Sequence, residues 1–161
     1  MMTEISLNVL DVSENSTRAG ASLVTILVTA DTSADKLTIV IADNGCGMTP
    51  EQAAHVTDPF FTTRTTRKVG LGIPFFKYAA ESTGGSFHIE SEPGKGTTVT
   101  AVFGLSHIDR MPLGDMNATI HNLIVYHPDT DFLYTYTYND ASFTLDTRQM
   151  REILGGIPLN T

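Results

Sequence analysis

The first forty residues show two periods of apolar residues, and each period predicts a different element. From Ile5 to Val12, apolar residues recur at every third or fourth position, which predicts an amphipathic helix over residues 3–18. Residues 22–30 and 36–42 are rich in apolar and β-branched side chains and are joined by a short polar turn, which predicts an antiparallel hairpin. The chain therefore opens with a helix followed by two paired strands.

The rest of the chain repeats both kinds of pattern. Thr49 suits the N-cap of a short helix, and Pro50 suits its first position. In a later helix we expect Phe75, Ala79 and Ala80 to face the core. The predicted elements are a helix from about residue 50 to 57, a helix from a glycine pair near residue 70 to residue 82, strands at 86–91 and 97–103, a helix at 117–126, strands at 132–138 and 142–145, and a last helix at 147–154.

One carboxylate stands at the end of a predicted buried strand. The segment Asp43-Asn44-Gly45-Cys46-Gly47-Met48 follows that strand directly, and its glycines allow positive φ angles. On its own this segment is either a strand-to-helix turn or a means of presenting one acid to the polar edge of a flat ligand.

The first helix also carries a polar stripe. Asn8, Asp11, Asn15 and Arg18 recur at helical spacing, which is typical of a solvated face. The residue types allow a chemical interpretation as well. The carboxamide oxygen of Asn15 is a suitable ligand for Mg²⁺, and Asp11, one turn away, is placed to orient or deprotonate a water.

A basic segment precedes two closely spaced glycines. Residues 62–68 are polar and include Arg64 and Lys68, so they form either a solvated linker or a cover over an anionic ligand. Gly70-Leu71-Gly72 opens a predicted helix, where free backbone N–H groups provide a site for phosphate oxygens. A packing turn is the alternative for this glycine pair.

Charge and composition narrow the possible partners. The net charge of −8 argues against nucleic acid or an anionic membrane as a partner. A single cysteine, no apolar run long enough to cross a membrane and no signal pattern predict a cytoplasmic protein. One cysteine and five scattered histidines give no zinc site.

Together these segments resemble the GHKL superfamily, which comprises DNA gyrase, heat-shock chaperone ATPases, histidine kinases and MutL. The resemblance covers roughly residues 3–103. The sequence of the N box is most similar to that of MutL, and the later motifs are most similar to the catalytic ATP-binding domain of histidine kinases. The matching motifs are an N box at residues 10–21, a G1 box at 43–48, an F box at 58–64, a G2 box at 70–73 and a final hairpin at 91–98.

The resemblance implies an α+β two-layer sandwich, the Bergerat ATP-binding fold, in which a mixed sheet has helices on one face. It implies that ATP and Mg²⁺ are bound, with Asn15 on the metal, Asp43 on the adenine amino group and Thr97 near the adenine through water. It also assigns Gly45 and Gly47 to making room for the base. The other implied ligand-binding residues are Arg18, Met48, Arg64, Lys68, Gly70, Leu71 and Gly72, and Asp11 is the implied catalytic residue.

Departures from the family pattern leave the activity open. We expect residues 1–104 to form the ATP-binding domain and residues 105–161 to form a small α+β extension. No phospho-acceptor histidine precedes the N box, and Asp11 stands where several relatives use glutamate. The favoured interpretation is a regulator that binds Mg-ATP and acts on a separate protein. The alternatives are an anti-sigma-type serine kinase and a MutL-like ATPase switch that forms a homodimer on binding ATP.

Overall fold

The computed structural model describes residues 4–58, 72–155 and 158–159, and the predicted helices and strands in these ranges are present. The elements in chain order are α1 (Ile5–Arg18), β1 (Leu23–Asp31), β2 (Lys36–Asp43), α2 (Pro50–Val56), α3 (Gly72–Glu81), β3 (Ser86–Glu92), β4 (Gly96–Gly104), α4 (Met116–Tyr126), β5 (Asp131–Tyr138), β6 (Ala141–Asp146) and α5 (Thr147–Leu154).

Six strands form one mixed sheet in the order β3-β4-β2-β1-β5-β6. The pairs β1–β2, β2–β4, β3–β4 and β5–β6 are antiparallel, and β1 pairs with β5 in parallel. The predicted hairpins are confirmed. The last of them turns at Asn139, which has a φ of 53°, a conformation that asparagine tolerates better than most residues.

The core lies between the sheet and three helices on one of its faces. In register, Ile26 of β1 opposes Ile41 of β2 and Tyr134 of β5, so these side chains share a face of the sheet. All three are at most 3% exposed, and they pack with the apolar faces of α1, α3 and α4. This arrangement confirms the predicted two-layer α+β fold.

One expectation about the core is wrong by a single residue. Phe75 was expected to face the core, but it is 38% exposed, whereas its neighbour Phe76 is fully buried. Phe76 contacts the rings of Phe87 and Phe103 at centroid distances of 6.3 and 5.9 Å. Adjacent helical residues point about 100° apart, so only one of the two phenylalanines can meet the sheet.

Residues beyond 104 contribute to the same sheet as those before it. The parallel pair begins with Leu23 of β1 opposite Asp131 of β5. α4 packs beside α1, where Thr119 Oγ1 donates to the Ser6 carbonyl and His127 Nε2 lies 2.7 Å from Glu14 Oε1. The predicted division at residue 104 thus separates two parts of one continuous sheet.

Among the described residues, none of the helices combines the length and the hydropathy needed to cross a bilayer.

Candidate functional site

A cavity of about 310 Å³ opens where the last turns of α1 meet the end of β2, the start of β4 and the start of α3. Its walls are largely apolar, with Val12, Ile41, Ile73 and Val99 among them. Polar groups reach it from α1 and from the end of β2. A mostly apolar cavity with a few placed polar groups is the usual form of a small-molecule site.

Asp43 is the acid of this cavity, and its carboxylate is fixed by two hydrogen bonds. Ser16 Oγ donates to Asp43 Oδ2 at 2.7 Å, and the Gly45 N–H donates to Asp43 Oδ1 at 2.8 Å. A carboxylate has about four acceptor positions, so both oxygens can still accept from a ligand. The side chain is therefore oriented before anything binds.

The turn that follows Asp43 is held against its neighbours by backbone hydrogen bonds. The Cys46 N–H donates to the Ala19 carbonyl at 2.9 Å, and the Gly94 N–H donates to the Cys46 carbonyl at 2.7 Å. The Met48 N–H donates to Ser91 Oγ at 2.8 Å. The turn is thus fixed to the end of α1 on one side and to the β3–β4 hairpin on the other.

Two glycines allow this close packing. Gly47 has a φ of +70°, and a β-carbon there would lie 2.0 Å from the Glu92 carbonyl oxygen. A β-carbon at Gly45 would lie 2.9 Å from the Ala19 carbonyl oxygen. The lack of side chains at both positions is therefore explained by neighbouring backbone, in addition to any room that they leave for a ligand.

Asn44 connects the same turn to the start of β1. Its Oδ1 accepts from the backbone N–H groups of Ser22 and Leu23, at 2.9 and 3.0 Å, and its Nδ2 donates to Ser22 Oγ. The Ser22 carbonyl in turn accepts from the Asp131 N–H at 2.8 Å. Hydrogen bonds thus run from the cavity turn to β5 beyond residue 104.

Asn15 brings a buried amide to the cavity. Its Nδ2 makes no hydrogen bond to the described residues, while its Oδ1 accepts from the Arg18 guanidinium. Arg18 is exposed, so it can turn away and free the carboxamide oxygen. Mg²⁺ is commonly held by one or two protein oxygens together with phosphates and waters, so this donor fits a metal that arrives with a phosphate ligand. The described residues contain no cluster of acids, histidines and cysteines that would hold a metal by itself.

Asp11 packs beside the first residue of α3. A β-carbon at Gly72 would lie 2.9 Å from Asp11 Cβ, so the glycine lets the two helices approach. Burial raises the pKa of the Asp11 carboxyl; the nearby Arg18 opposes this change and Glu14 adds to it. The surroundings of Asp11 therefore favour the protonated form of its carboxyl group.

The predicted site residues fall into three groups. Those that line the cavity are Asn15, Arg18, Asp43, Gly47, Met48 and Thr97. Those that pack around it are Asp11, Gly45 and Gly72. Arg64, Lys68, Gly70 and Leu71 lie outside the described residues.

Two positioning residues were not predicted from the sequence. Ser16 holds Asp43, and Ser91 holds both Met48 and Thr97, the latter through a 2.7 Å contact between hydroxyl oxygens. Ser16 continues the apolar stripe of Ile5, Val9 and Val12 by one turn. A hydroxyl at a buried position of such a stripe needs a partner, which is the signal that was available.

Sequence comparison relates this chain to ATPases and sensor proteins. Residues 1–107 match the family model described as histidine kinase-, DNA gyrase B- and HSP90-like ATPase. The sensor protein SrrB of Staphylococcus aureus (strain NCTC 8325 / PS 47) is 33% identical over 102 residues, which are 60% of this chain and 17% of that protein. The chain thus spans less than a fifth of that relative's length.

Two solved structures share the fold at low sequence identity. The N-terminal domain of a DNA repair protein has a TM-score of 0.63 and 14% identity, covering 90% of this chain and 53% of that one. The Aquifex aeolicus MutL ATPase domain, solved as a complex with ADP, has a TM-score of 0.53 and 16% identity, covering 96% and 70%.

Proposed function

Because the chain belongs to the family of histidine kinase-, DNA gyrase B- and HSP90-like ATPases, we propose that it binds Mg-ATP beside Asp43 and uses it to regulate a separate protein in signal transduction. The observation that carries the nucleotide assignment is the fixed carboxylate in a largely apolar cavity. In this proposal residues 1–104 form the nucleotide domain and residues 105–161 an extension that supports it.

The base of the nucleotide would lie in the apolar part of the cavity. Asp43 would accept a hydrogen bond from the exocyclic amino group of adenine, and Thr97 would contact the base through water. Guanine has a carbonyl oxygen where adenine has its amino group, so the carboxylate would repel it. The cavity should therefore prefer adenine nucleotides.

The phosphates would lie toward α1 and the start of α3. Asn15 would hold Mg²⁺ through Oδ1 once Arg18 has turned away, and Arg18 would then be free to contact a phosphate oxygen. The metal supplies charge neutralisation to the triphosphate. The buried, unpartnered Nδ2 of Asn15 supports a ligand on this side, because an unpaired buried amide costs about 1–3 kcal/mol.

An ATPase switch is the second candidate, and one observation favours it. Asp11 lies one helical turn from Asn15, and its pKa is raised by burial, which suits a group that takes a proton from water. The contact between Asp11 and Gly72 places this acid at the start of α3. Aspartate is one methylene shorter than glutamate, so its reach to an attacking water decides between the two functions.

Two experiments test the proposal in sequence. In calorimetry, Mg-ATP should bind saturably, and Mg-GTP should bind at least tenfold more weakly. Absence of Mg-ATP binding, or equal affinity for both nucleotides, would overturn the assignment of the cavity. Incubation with γ-labelled ATP then separates the activities, because free phosphate supports the ATPase switch and label on a co-purifying protein supports the kinase-like regulator. Binding with neither product would leave a nucleotide sensor and exclude both enzymes.

A further inference from the structure

A second cavity, of about 330 Å³, lies at the other end of α1. It is bounded by the first turn of α4 and by the β5–β6 hairpin. The segment before α4 is fixed to the start of α1, where the Ile5 and Ser6 N–H groups donate to the carbonyls of Pro112 and Leu113 at 3.0 and 2.8 Å. The first cavity is lined by α1 residues from Val12 onward and α1 begins at Ile5, so about 10 Å of helix separates the two cavities.

The cavity has aromatic walls. Tyr136 and Phe143 oppose each other across the β5–β6 pair, and Tyr134 is the next residue of β5 on the same face. Phe143 is 56% exposed although it lies on the helix side of the sheet. α4 thus leaves part of the aromatic surface uncovered.

The hydroxyl of Tyr134 makes no hydrogen bond to any described residue, although the side chain is only 3% exposed. Among the described residues, fully enclosed polar side-chain atoms without a partner occur at Asn8, Ser13 and Asn15 but not at Tyr134. The Tyr134 hydroxyl therefore reaches solvent at the cavity, where it can donate to a ligand. Burial, with a smaller contribution from Tyr136, raises the pKa of Tyr134 to about 12, so its hydroxyl remains a hydrogen-bond donor at neutral pH.

The start of α4 offers further donors at the same cavity. Met116 and Asn117 are its first two residues, and N–H groups at these positions have no intrahelical acceptor. The N-cap residue, Asp115, uses its carboxylate to accept from the Ala118 N–H at 2.9 Å. An acceptor atom in the cavity would therefore meet several donors, while the Asp115 carboxylate at its rim would repel an anion.

We propose that this cavity binds a small, neutral aromatic compound whose carbonyl oxygen accepts hydrogen bonds from Tyr134 and from the first turn of α4. The aromatic walls provide the apolar contact, and the donors fix the orientation of the ring. The volume is near the lower end of the range for ligand pockets, which limits the compound to a small one. The cavity is separate from the proposed nucleotide site, so a failure here would leave that proposal standing.

Benzamide is a suitable probe for this cavity, because it is a neutral ring with one amide carbonyl. Titrated into ¹⁵N-labelled full chain, it should produce saturable NMR shifts at the amides of Met116 and Asn117. Tyr134→Phe should weaken this binding about two- to tenfold, the factor for one net hydrogen bond. Tyr138→Phe is the matched control: it alters an exposed tyrosine outside the cavity and should leave the affinity unchanged.

Two further comparisons test the chemistry. Toluene lacks the carbonyl and should bind the wild type and Tyr134→Phe equally. Benzoate should bind the wild type more weakly than benzamide. Asp115→Asn should reduce this preference for benzamide, because the variant removes the negative charge at the rim. Asparagine caps a helix as well as aspartate, so the helix start is kept. Shifts that do not saturate, shifts centred on the Asp43 cavity, or equal benzamide affinity in Tyr134→Phe would each overturn the proposal.

Discussion

Replacing Asp43 by Asn should change which base the cavity prefers. The Gly45 N–H is fixed in the backbone and donates to Oδ1 at 2.8 Å, so the asparagine oxygen must take that position. The amide nitrogen then faces Ser16, whose hydroxyl can rotate to accept instead of donating at 2.7 Å. The acceptor at the Oδ2 position becomes an N–H donor, and the acceptor that remains at Oδ1 no longer carries a charge.

The magnitude follows from the loss of one charge-assisted hydrogen bond. Such a bond contributes about 1.5–3 kcal/mol, so the Kd for Mg-ATP should rise about tenfold to a hundredfold. Affinity for Mg-GTP should increase, since the new donor faces the carbonyl of guanine. Both internal hydrogen bonds persist in the variant, so its unfolding free energy should stay within about 1 kcal/mol of the wild type.

Calorimetry with both nucleotides and a chemical denaturation curve measure these quantities. Ser16→Ala serves as a comparison, because it loosens the carboxylate but keeps its charge, and it should weaken Mg-ATP binding without improving Mg-GTP binding. Asp140→Asn, in the exposed turn between β5 and β6, should alter neither. An unchanged Kd for Mg-ATP in a stable Asp43→Asn variant would refute the assignment of Asp43.

Three other substitutions give further tests. Asn15→Ala should lower the affinity for Mg-ATP to that for ATP in EDTA, and calorimetry in which the Mg²⁺ enhancement survives would rule out Asn15 as the metal ligand. Because burial raises the pKa of Asp11 above its ordinary value of 3.8, ionising this carboxyl costs stability at neutral pH, and that cost disappears below the unfolded-state pKa. Asp11→Asn should therefore be more stable than the wild type at pH 7 and equally stable near pH 3 in thermal unfolding; a difference independent of pH would contradict this. Asn8 is fully buried and neither carboxamide atom has a partner among the described residues. Asn8→Leu should therefore raise the unfolding free energy by about 1–3 kcal/mol, whereas a loss of stability in urea titration would show that the amide is satisfied.

Local sequence patterns were sufficient to predict the elements of the fold. The hairpins have alternating apolar residues and turn residues such as Asn139, and the short α2 begins at its predicted N-cap, Thr49, whose side chain accepts from the Gln52 N–H. These signals act over a few residues and are present in the sequence itself. The choice between Phe75 and Phe76 depends on the rotation of α3 against the sheet, which no local pattern determines.

Only those residues of the candidate site that belong to sequence motifs could be predicted. Asp43 and Asn15 stand in recognisable motifs, and both line the cavity. Ser16 was missed because its importance rests on a contact with a residue 27 positions away. Asn8 was grouped with a solvated stripe, but its side chain is completely buried, and Asp11 of the same stripe packs against the start of α3.

The parallel pairing of β1 with β5 has a consequence for how the chain is made. Leu23 and Asp131 are in register although 131 − 23 = 108 positions separate them, and pairs so distant in sequence form slowly. Until β5 has left the ribosome, one side of the nine-residue β1 remains an open edge with unpaired N–H and C=O groups. Such an edge is a template for pairing with other chains, so a fragment that stops at residue 104 would retain the nucleotide motifs and be prone to aggregate.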